Sequence, residues 1–273
     1  MSRYTGGGGY QAFTPLLLDT LSAPAFAALS SRKLSAGYSG SAMKVRRSSD
    51  NATQNIGFMN NVLDTAGLAS FVGSNSGFVD TFFDQSGNGN NCTQSTGTNQ
   101  PRVVNLGTND TQNGNVAPLW ISANTNNLSF ATPSSLSQPL TCAVCVKLSS
   151  INVNDAIHWG TGNVLIITGA TNFGGTWAML SGGLISGGTS DTNIHMFIGV
   201  FNSTLSEFII DGSTISGNAG SGSWTQPVSL GINNAGGGGI DGHICEYIAM
   251  NSVISAGDIS LIRASWQSYW GTP

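Results

Sequence analysis

Short runs in which apolar and polar residues alternate recur along this chain, and this period of two predicts strands with one buried face. The clearest runs lie at residues 43–48, 78–83, 140–148, 195–201, 206–210 and 243–250. Gly, Asn and Ser turns separate them, and Asp211-Gly212 between two such runs predicts a hairpin. From Trp120 to Met250 the strands follow one another without interleaved helices, which favours an antiparallel β-sandwich.

Helical patterns interrupt this series at only a few places. A short helix is predicted after Thr14-Pro15, and a second at Asp64–Val72 with Asp64 as N-cap and Gly73 as terminator. The last begins with capping-box spacing at Ser255–Asp258 and places Ile259, Ile262, Trp266 and Trp270 on one side. The predicted fold is therefore all-β, with a few short helices and a closing C-terminal helix.

The domain organisation follows from the ends of these patterns. Gly6–Gly9 gives residues 1–25 the character of a Gly-rich N-terminal arm followed by a short helix. Residues 26–273 contain no fixed-period repeat and no convincing linker, so we predict a single sandwich domain there.

Composition agrees with a packed β domain whose surface is made of Ser, Thr and Asn. Charged residues are 8% of the chain, whereas 40% are apolar, which is enough for a core. The net charge is −4 and there is no dense basic face, which argues against a nucleic-acid partner. The N-terminus lacks the apolar core of a signal peptide, and no apolar run approaches membrane-helix length. We expect synthesis in a cytoplasm and no membrane association.

The four cysteines are predicted to be buried thiols. Cys142 and Cys145 form a C-x-x-C within an alternating segment, where residues three apart face opposite sides of a strand. A redox pair or a shared metal site is therefore disfavoured.

Arg46 and Arg47 suggest a structural cluster. In an alternating strand one of the two must point toward the packed side, where it needs a carboxylate partner. We predict a buried polar brace at one end of the sandwich, formed by Arg46, Arg47, Asp50 and Asp84.

Two resemblances to known families appear in these motifs. The tail, with Asp211-Gly212, Leu230-Gly231, residues 240–248 and the final Trp270-Gly271, resembles concanavalin A-like, laminin-G-type sandwiches. The segments VRRSSDNATQNIGF (45–58) and FFDQSGNGNNCTQ (82–94) are similar to the catalytic domain of family 54 α-L-arabinofuranosidases. The same block occurs in phage and prophage virion proteins that carry the arabinofuranosidase label by similarity.

The arabinofuranosidase resemblance implies two catalytic carboxyl groups in the later half of the chain, as retaining glycosidases require. The nearest segments are residues 177–183, which contain no carboxylate, and 230–235, where Ala235 stands at the family's Asp position. We therefore predict no catalytic residues and a chain that is not an enzyme. A glycosidase would have to recruit other carboxylates, such as Asp155, Asp191 or Asp241; His158, His195 and His243 lack a nucleophile motif.

The first functional hypothesis is a non-catalytic phage structural protein: a capsid decoration, fibre or tail component in the virion. Its partners would be other virion proteins, met through the N-terminal arm, in an oligomer or multi-copy assembly. The alternatives are a carbohydrate-binding receptor or adhesin and an α-L-arabinofuranosidase-like glycoside hydrolase. Candidates for contact with a cell-surface glycan are Trp159, Trp177, Asn233 and Asn234.

We predict no cofactor and no metal. The oxygens near Asp80, Asp84 and Asn88 would suit calcium, but a turn held by Asp and Asn bonds to its own backbone is favoured.

Overall fold

The computed structural model describes residues 15–130, 136–151, 155–161, 164–169, 174–223, 225–231 and 239–273. Its α-helices are α1 Leu17–Thr20, α2 Thr65–Val72 and α3 Ala256–Trp270. The strands before the middle of the chain are β1 Ala27–Ser30, β2 Met43–Arg47, β3 Thr53–Ile56, β4 Phe58–Met59, β5 Val62–Leu63, β6 Gly77–Phe82, β7 Cys92–Thr93, β8 Arg102–Asn105, β9 Thr108–Asn109, β10 Thr111–Gln112, β11 Asn115–Val116, β12 Leu119–Trp120 and β13 Leu128–Phe130. The later strands are β14 Leu140–Leu148, β15 Asp155–Thr161, β16 Val164–Gly169, β17 Thr176–Leu180, β18 Leu184–Thr189, β19 Ile194–Phe201, β20 Ser206–Ile210, β21 Ser213–Gly217, β22 Thr225–Leu230 and β23 Gly242–Met250.

The strands form two antiparallel layers, which we call the front and back sheets. The front sheet runs β3-β2-β6-β7-β13-β22-β15-β16-β17-β18, with β8 beside β6. The back sheet runs β1-β23-β14-β19-β20-β21. The short strand β12 pairs with both β8 and β23 and so joins the two layers. The predicted antiparallel β-sandwich with a few short helices and a C-terminal helix is confirmed.

Apolar side chains fill two separate layers. One cluster lies between the sheets and includes Val45, Val144 and Phe197; the other lies between the back sheet and α3 and includes Ile198, Ile262 and Trp266. The back-sheet strands β1, β23, β14, β19 and β20 each contribute to both clusters, because successive side chains point to opposite faces. This explains why β14 is apolar except at Thr141 and Lys147, as expected of a strand buried on both sides.

The cysteine predictions follow the same geometry and are confirmed. Cys142 belongs to the cluster between the sheets, whereas Cys145 faces the helix layer. Together with Cys92 and Cys245 they are buried free thiols.

Local signals placed the helix ends correctly. The Asp64 carboxylate accepts a hydrogen bond from Gly67 N at 2.9 Å and caps α2, and Gly73 ends it with a positive φ of 59°. The Ser255 hydroxyl caps α3 by accepting from Asp258 N at 3.0 Å. The carboxylate of Asp258 accepts instead from Ser22 N and Ser22 Oγ, at 2.8 and 2.6 Å, which ties the segment after α1 to α3.

A β-bulge in β23 directs a carboxylate into the helix layer. Cys145 pairs with Glu246 and Val146 with Ile244, so Cys245 is the extra residue of the bulge. Cys245 and Glu246 consequently both face α3, where Glu246 is buried beneath the helix.

The predicted hairpin is also present: β20 and β21 pair around Asp211 and Gly212, both at positive φ. Residues 1–14, and with them most of the predicted N-terminal arm, lie outside the described residues. None of the described helices is long and apolar enough to cross a membrane.

Candidate functional site

The outer surface of the front sheet, which we call the front face, is polar because of strand alternation. Val45 and Val79 enter the core between the sheets. Their neighbours Lys44, Arg46 and Asp80 therefore lie on the opposite, outer side.

Polar residues cross this face in one continuous row of strand partners. Lys44 pairs with Thr81, Thr81 with Thr93, Thr93 with Ser129, and Ser129 with Ser229. The backbone of Trp159 is next in the register, opposite Ser229. Five strands thus present hydroxyl and charged groups along a line that no single sequence segment contains.

An open groove of about 400 Å³ lies at the start of the row. Its charged groups are Lys44 and Asp80, which form an ion pair of 2.5 Å between Nζ and Oδ1. Asp80 is the extra residue of a bulge in β6, since Lys44 pairs with Thr81 but Val45 with Val79. The remaining lining residues are Thr81, Thr93, Gln94, Ser95 and Ser129.

A second groove, of about 500 Å³, surrounds Arg46; we call it the Arg46 groove. Its other lining residues are Asn51, Phe78, Thr96, Gly97, Thr98 and Asn124. The guanidinium lies over the ring of Phe78, with its carbon 4.9 Å from the ring centre.

Gln100 connects the two grooves. Its side-chain oxygen accepts a hydrogen bond from Arg46 Nε at 2.7 Å, while its amide nitrogen donates to Gln94 O at 2.8 Å and lies 3.5 Å from Asp80 Oδ2. Gln100 is itself buried, so it fixes the position of these groups. Hydroxyls, amides and a few charges around open grooves are the groups that bind sugar hydroxyls.

Asp241 is a further carboxylate connected to the Arg46 groove. Its oxygens accept hydrogen bonds from Ser122 N at 2.8 Å, Ser122 Oγ at 2.9 Å and Ser150 Oγ at 3.2 Å. Ser122 belongs to the same 3-10 turn as Asn124, which lines that groove. Asp241 also follows residues 232–238, which lie outside the described part of the chain.

Of the four predicted glycan-contacting residues, the structure describes the side chain of Trp177 alone. Trp177 is 1% exposed and packs between the sheets, with its ring centre 4.6 Å from that of Phe197. A glycan platform needs an exposed ring, so the prediction for Trp177 is wrong. Asn233 and Asn234 lie outside the described residues, and for Trp159 only the backbone position is described.

His195, which the sequence left without a role, lies between two carboxylates at the edge of the sandwich. Its Nδ1 is 2.6 Å from Asp211 Oδ2 and its Nε2 is 2.8 Å from Asp191 Oδ1. Burial lowers the pKa of His195, but the hydrogen bonds to Asp211 and Asp191 outweigh it, so the pKa is raised above its usual value. Asp191, which we considered as a recruited catalytic group, is engaged in this cluster.

The predicted brace of Arg46, Arg47, Asp50 and Asp84 does not form as one cluster. Arg47 and Asp50 are an exposed ion pair of 2.6 Å, and the bond to Arg47 lowers the pKa of Asp50 to about 2. Arg46 contacts neutral acceptors in its groove. Asp84 is buried but accepts from the backbone N–H groups of Ala28, Ser86 and Asn90.

The physical reason for this error is the register of β2. Met43 and Val45 occupy the buried face, so alternation puts Arg46 on the outer face. Arg47 lies on the side of Val45, but it is the last residue of β2, and its guanidinium bonds Phe71 O and Asp50 instead of a buried partner. The signal that would have found the groove was the same alternation, which places Lys44 and Arg46 together on the outer face.

Among the residues that the structure describes, the buried ion pair is instead Arg32–Glu246. Arg32 Nε is 2.8 Å from Glu246 Oε2, and the side chain of Glu246 is fully inaccessible. Its contacts are those of a structural residue, since they join β23 to Arg32 and to α3.

The calcium alternative finds no cluster among the described residues. No group of three or more His, Cys, Asp or Glu side chains there is arranged to hold a metal ion. Asp84 bonds its own loop, as the favoured alternative expected. The absence of a cofactor stays a prediction.

Comparisons with known proteins show that this chain is similar to α-L-arabinofuranosidases. Residues 17–135 match the family model described as the catalytic domain of α-L-arabinofuranosidase B. A family 54 α-L-arabinofuranosidase soaked with a cyclic sulfate inhibitor has a similar fold, with a TM-score of 0.70 and 16% identity over 89% of this chain and 62% of that one. An arabinofuranosidase complexed with arabinofuranosyl-α-1,2-xylobiose gives a TM-score of 0.67 and 16% identity over 91% and 63% of the two chains. This chain therefore spans less than two thirds of those enzymes. None of the curated proteins matches it.

These findings contradict the prediction that the chain is not an enzyme. The family-model match covers residues 17–135, and the shared sandwich is the fold of family 54 arabinofuranosidases, which are enzymes. The prediction depended on missing carboxylates, and it took Ala235 as one of the two positions. Residue 235 lies outside the described residues, so the structure does not support that step.

Proposed function

We propose that this protein is a glycoside hydrolase that acts on α-L-arabinofuranosides at the front face. The observation that carries the proposal is the overlap of two independent features. The family-model match covers residues 17–135, and the same residues supply all the lining groups of the two front-face grooves.

Glycoside hydrolysis requires two carboxyl groups on either side of the scissile bond. Among the described residues, Asp80 lies in the first groove of the front face, and Asp241, just before β23, is hydrogen-bonded to Ser122 in the turn that also carries Asn124 of the second groove. We propose these two as the carboxylates to test first. Lys44, beside Asp80, would orient a sugar hydroxyl or stabilise negative charge on a leaving oxygen.

The direct test is release of 4-nitrophenol from 4-nitrophenyl α-L-arabinofuranoside by the purified chain. We expect turnover, and a loss of about 100-fold or more in kcat for Asp80→Asn and Asp241→Asn, the range typical of a lost acid or base. Glu207→Gln is the matched control, since this acid-to-amide change lies on β20 of the back sheet.

No turnover of this substrate or of arabinose-bearing oligosaccharides by a correctly folded chain would overturn the proposal. Turnover that survives both substitutions would keep the function and assign its carboxyl groups to other residues. Circular dichroism and a melting curve for each variant separate a lost chemical group from a lost fold.

A glycan-binding receptor or adhesin would use the same face. It would be distinguished from an enzyme by saturable glycan binding without measurable hydrolysis. Assembly into a phage particle, through the N-terminal arm or another surface, stays a prediction. Mass spectrometry of purified particles, with the copy number of the chain, is the measurement that would test it.

A further inference from the structure

Arg46 carries a positive charge that no direct carboxylate contact neutralises within the described residues. Its three hydrogen bonds go to Gln100 Oε1 at 2.7 Å, Asn51 Oδ1 at 2.9 Å and Gly97 O at 2.8 Å. All three acceptors are uncharged. Three other arginines in the first half of the chain differ from Arg46 in this respect. Arg32, Arg47 and Arg102 each form an ion pair with a carboxylate.

The carboxylate whose charge acts on Arg46 is that of Asp80, which already has other hydrogen-bond partners. Asp80 accepts from Lys44 Nζ and from Thr81 Oγ1. Burial of the guanidinium lowers the pKa of Arg46, and the charge of Asp80 opposes this only in part. The lining of the two grooves therefore carries two cations and one anion within a protein whose net charge is −4.

The guanidinium is also held rigidly. It has five N–H donors, and its three bonds use one on each nitrogen, which leaves one N–H on each terminal nitrogen without a partner among the described residues. Its flat face rests on Phe78, so rotation away from the groove is restricted. A fixed guanidinium with two unused donors fits a carboxylate better than a neutral hydroxyl.

The rest of the groove suits a sugar ring. Thr96, Thr98 and Asn124 surround Arg46 with hydroxyl and amide groups, and the volume of about 500 Å³ accommodates one or two sugar residues.

We propose that the Arg46 groove binds a carboxylate-bearing sugar residue, a uronate, of an acidic glycan, with Arg46 as the specificity-determining residue. The proposal depends on the proposed function only in taking a glycan as the ligand. In the bound glycan, the uronate in the Arg46 groove would be the sugar unit next to the arabinofuranoside.

The test is isothermal titration calorimetry of the full chain with α-1,4-digalacturonate and with its neutral counterpart α-1,4-galactobiose. We expect the acidic disaccharide to bind at least tenfold more tightly. Arg46→Gln should weaken digalacturonate binding by about 10- to 100-fold, the range for a lost charge-assisted hydrogen bond, and should affect galactobiose little.

Arg47→Gln is the matched control. It removes the same charge from the adjacent residue, but Arg47 is paired with Asp50 and does not line the groove. We expect it to leave both affinities unchanged. If the two variants weaken binding equally, the effect is general surface charge and the proposal is wrong.

Asn124→Ala covers the case in which Arg46→Gln fails to fold. The Asn124 side chain makes no hydrogen bond to a described residue, yet it lines the groove. We expect this variant to melt normally and to bind digalacturonate several-fold more weakly; unchanged binding would contradict the placement.

Inorganic phosphate distinguishes a uronate site from a general anion site. Phosphate that displaces digalacturonate at equal concentration would overturn the assignment to a sugar carboxylate. Failure of the proposed function has a different signature, because digalacturonate would still bind while 4-nitrophenyl α-L-arabinofuranoside is not hydrolysed. If the chain hydrolyses the arabinofuranoside but binds the two disaccharides with equal affinity, the uronate site is wrong and the proposed function stands.

Discussion

The carboxylate of Glu246 accepts a hydrogen bond from the indole nitrogen of Trp266, with 2.6 Å between Oε1 and Nε1. Trp270, one turn later in α3, donates to Oε2 at 3.0 Å. Arg32 completes the cluster from the other side, with Nε 2.8 Å from Oε2 and Nη2 3.0 Å from Oε1. Burial raises the pKa of Glu246, but the Arg32 charge and these hydrogen bonds more than offset it, so the pKa is lowered.

Glu246→Gln should destabilise the protein by about 3–5 kcal/mol, because it leaves the Arg32 charge buried without its partner. Urea denaturation measures this free energy of unfolding. The control is Asp50→Asn, which removes one partner of an exposed ion pair and should change stability little. Equal losses from the two substitutions would show that the buried pair has no special weight.

The His195 cluster should make stability depend on pH. Both ring nitrogens face carboxylate oxygens, which only accept, so the arrangement requires the doubly protonated imidazolium. The pKa of His195 is raised in the folded state; its stabilisation is thus complete below the unfolded pKa of about 6.5 and is lost as pH rises through the folded value.

The wild-type protein should therefore lose stability as the pH rises above the unfolded pKa of about 6.5, over the range up to the raised folded pKa, and His195→Gln should not show this loss. The comparison with wild type isolates this effect, since burial lowers the pKa of His243 and gives it the opposite pH dependence. Melting temperatures across this range provide the measurement; parallel curves for the two proteins would contradict the role of His195.

Asp84→Ala should cost about 3 kcal/mol or more. The substitution leaves the buried N–H groups of Ala28 and Asn90 without their acceptor and releases the loop that joins β6 to β7. Asp84→Asn is the conservative comparison, since it keeps one acceptor oxygen and should lose less. If Asp84 instead formed a polar brace with Arg46, the losses of stability from Asp84→Ala and Arg46→Gln would be non-additive. A double-mutant cycle would detect this.

The four cysteines should be unreactive in the folded protein. Burial raises the pKa of the Cys92, Cys142 and Cys145 thiols, and thiolate is the reactive form. Titration with an aromatic disulfide reagent should detect no thiol in native conditions and all four in denaturant. Rapid labelling of one native thiol would indicate local opening of the sheet that carries it.

The sequence alone determined the local features of this protein. Alternation in β14 placed Cys142 and Cys145 on opposite faces, the Asp64 and Ser255 caps marked two helix starts, and Asp211-Gly212 marked a hairpin. These features depend on residues a few positions apart, for which backbone geometry permits few alternatives. The general fold class followed from their repetition.

Only the tertiary structure decided which charges meet. Arg32 and Glu246 are 214 positions apart, and a one-residue bulge in β23 turns Glu246 toward α3. The row from Lys44 to Ser229 follows five strands in their chain order, but the chain forms β14 to β21 between the last two of them. Strand order, register and bulges are set by the packing of the whole sandwich, so the partners of Arg46, Asp80 and Asp84 could not be read from their neighbours in sequence.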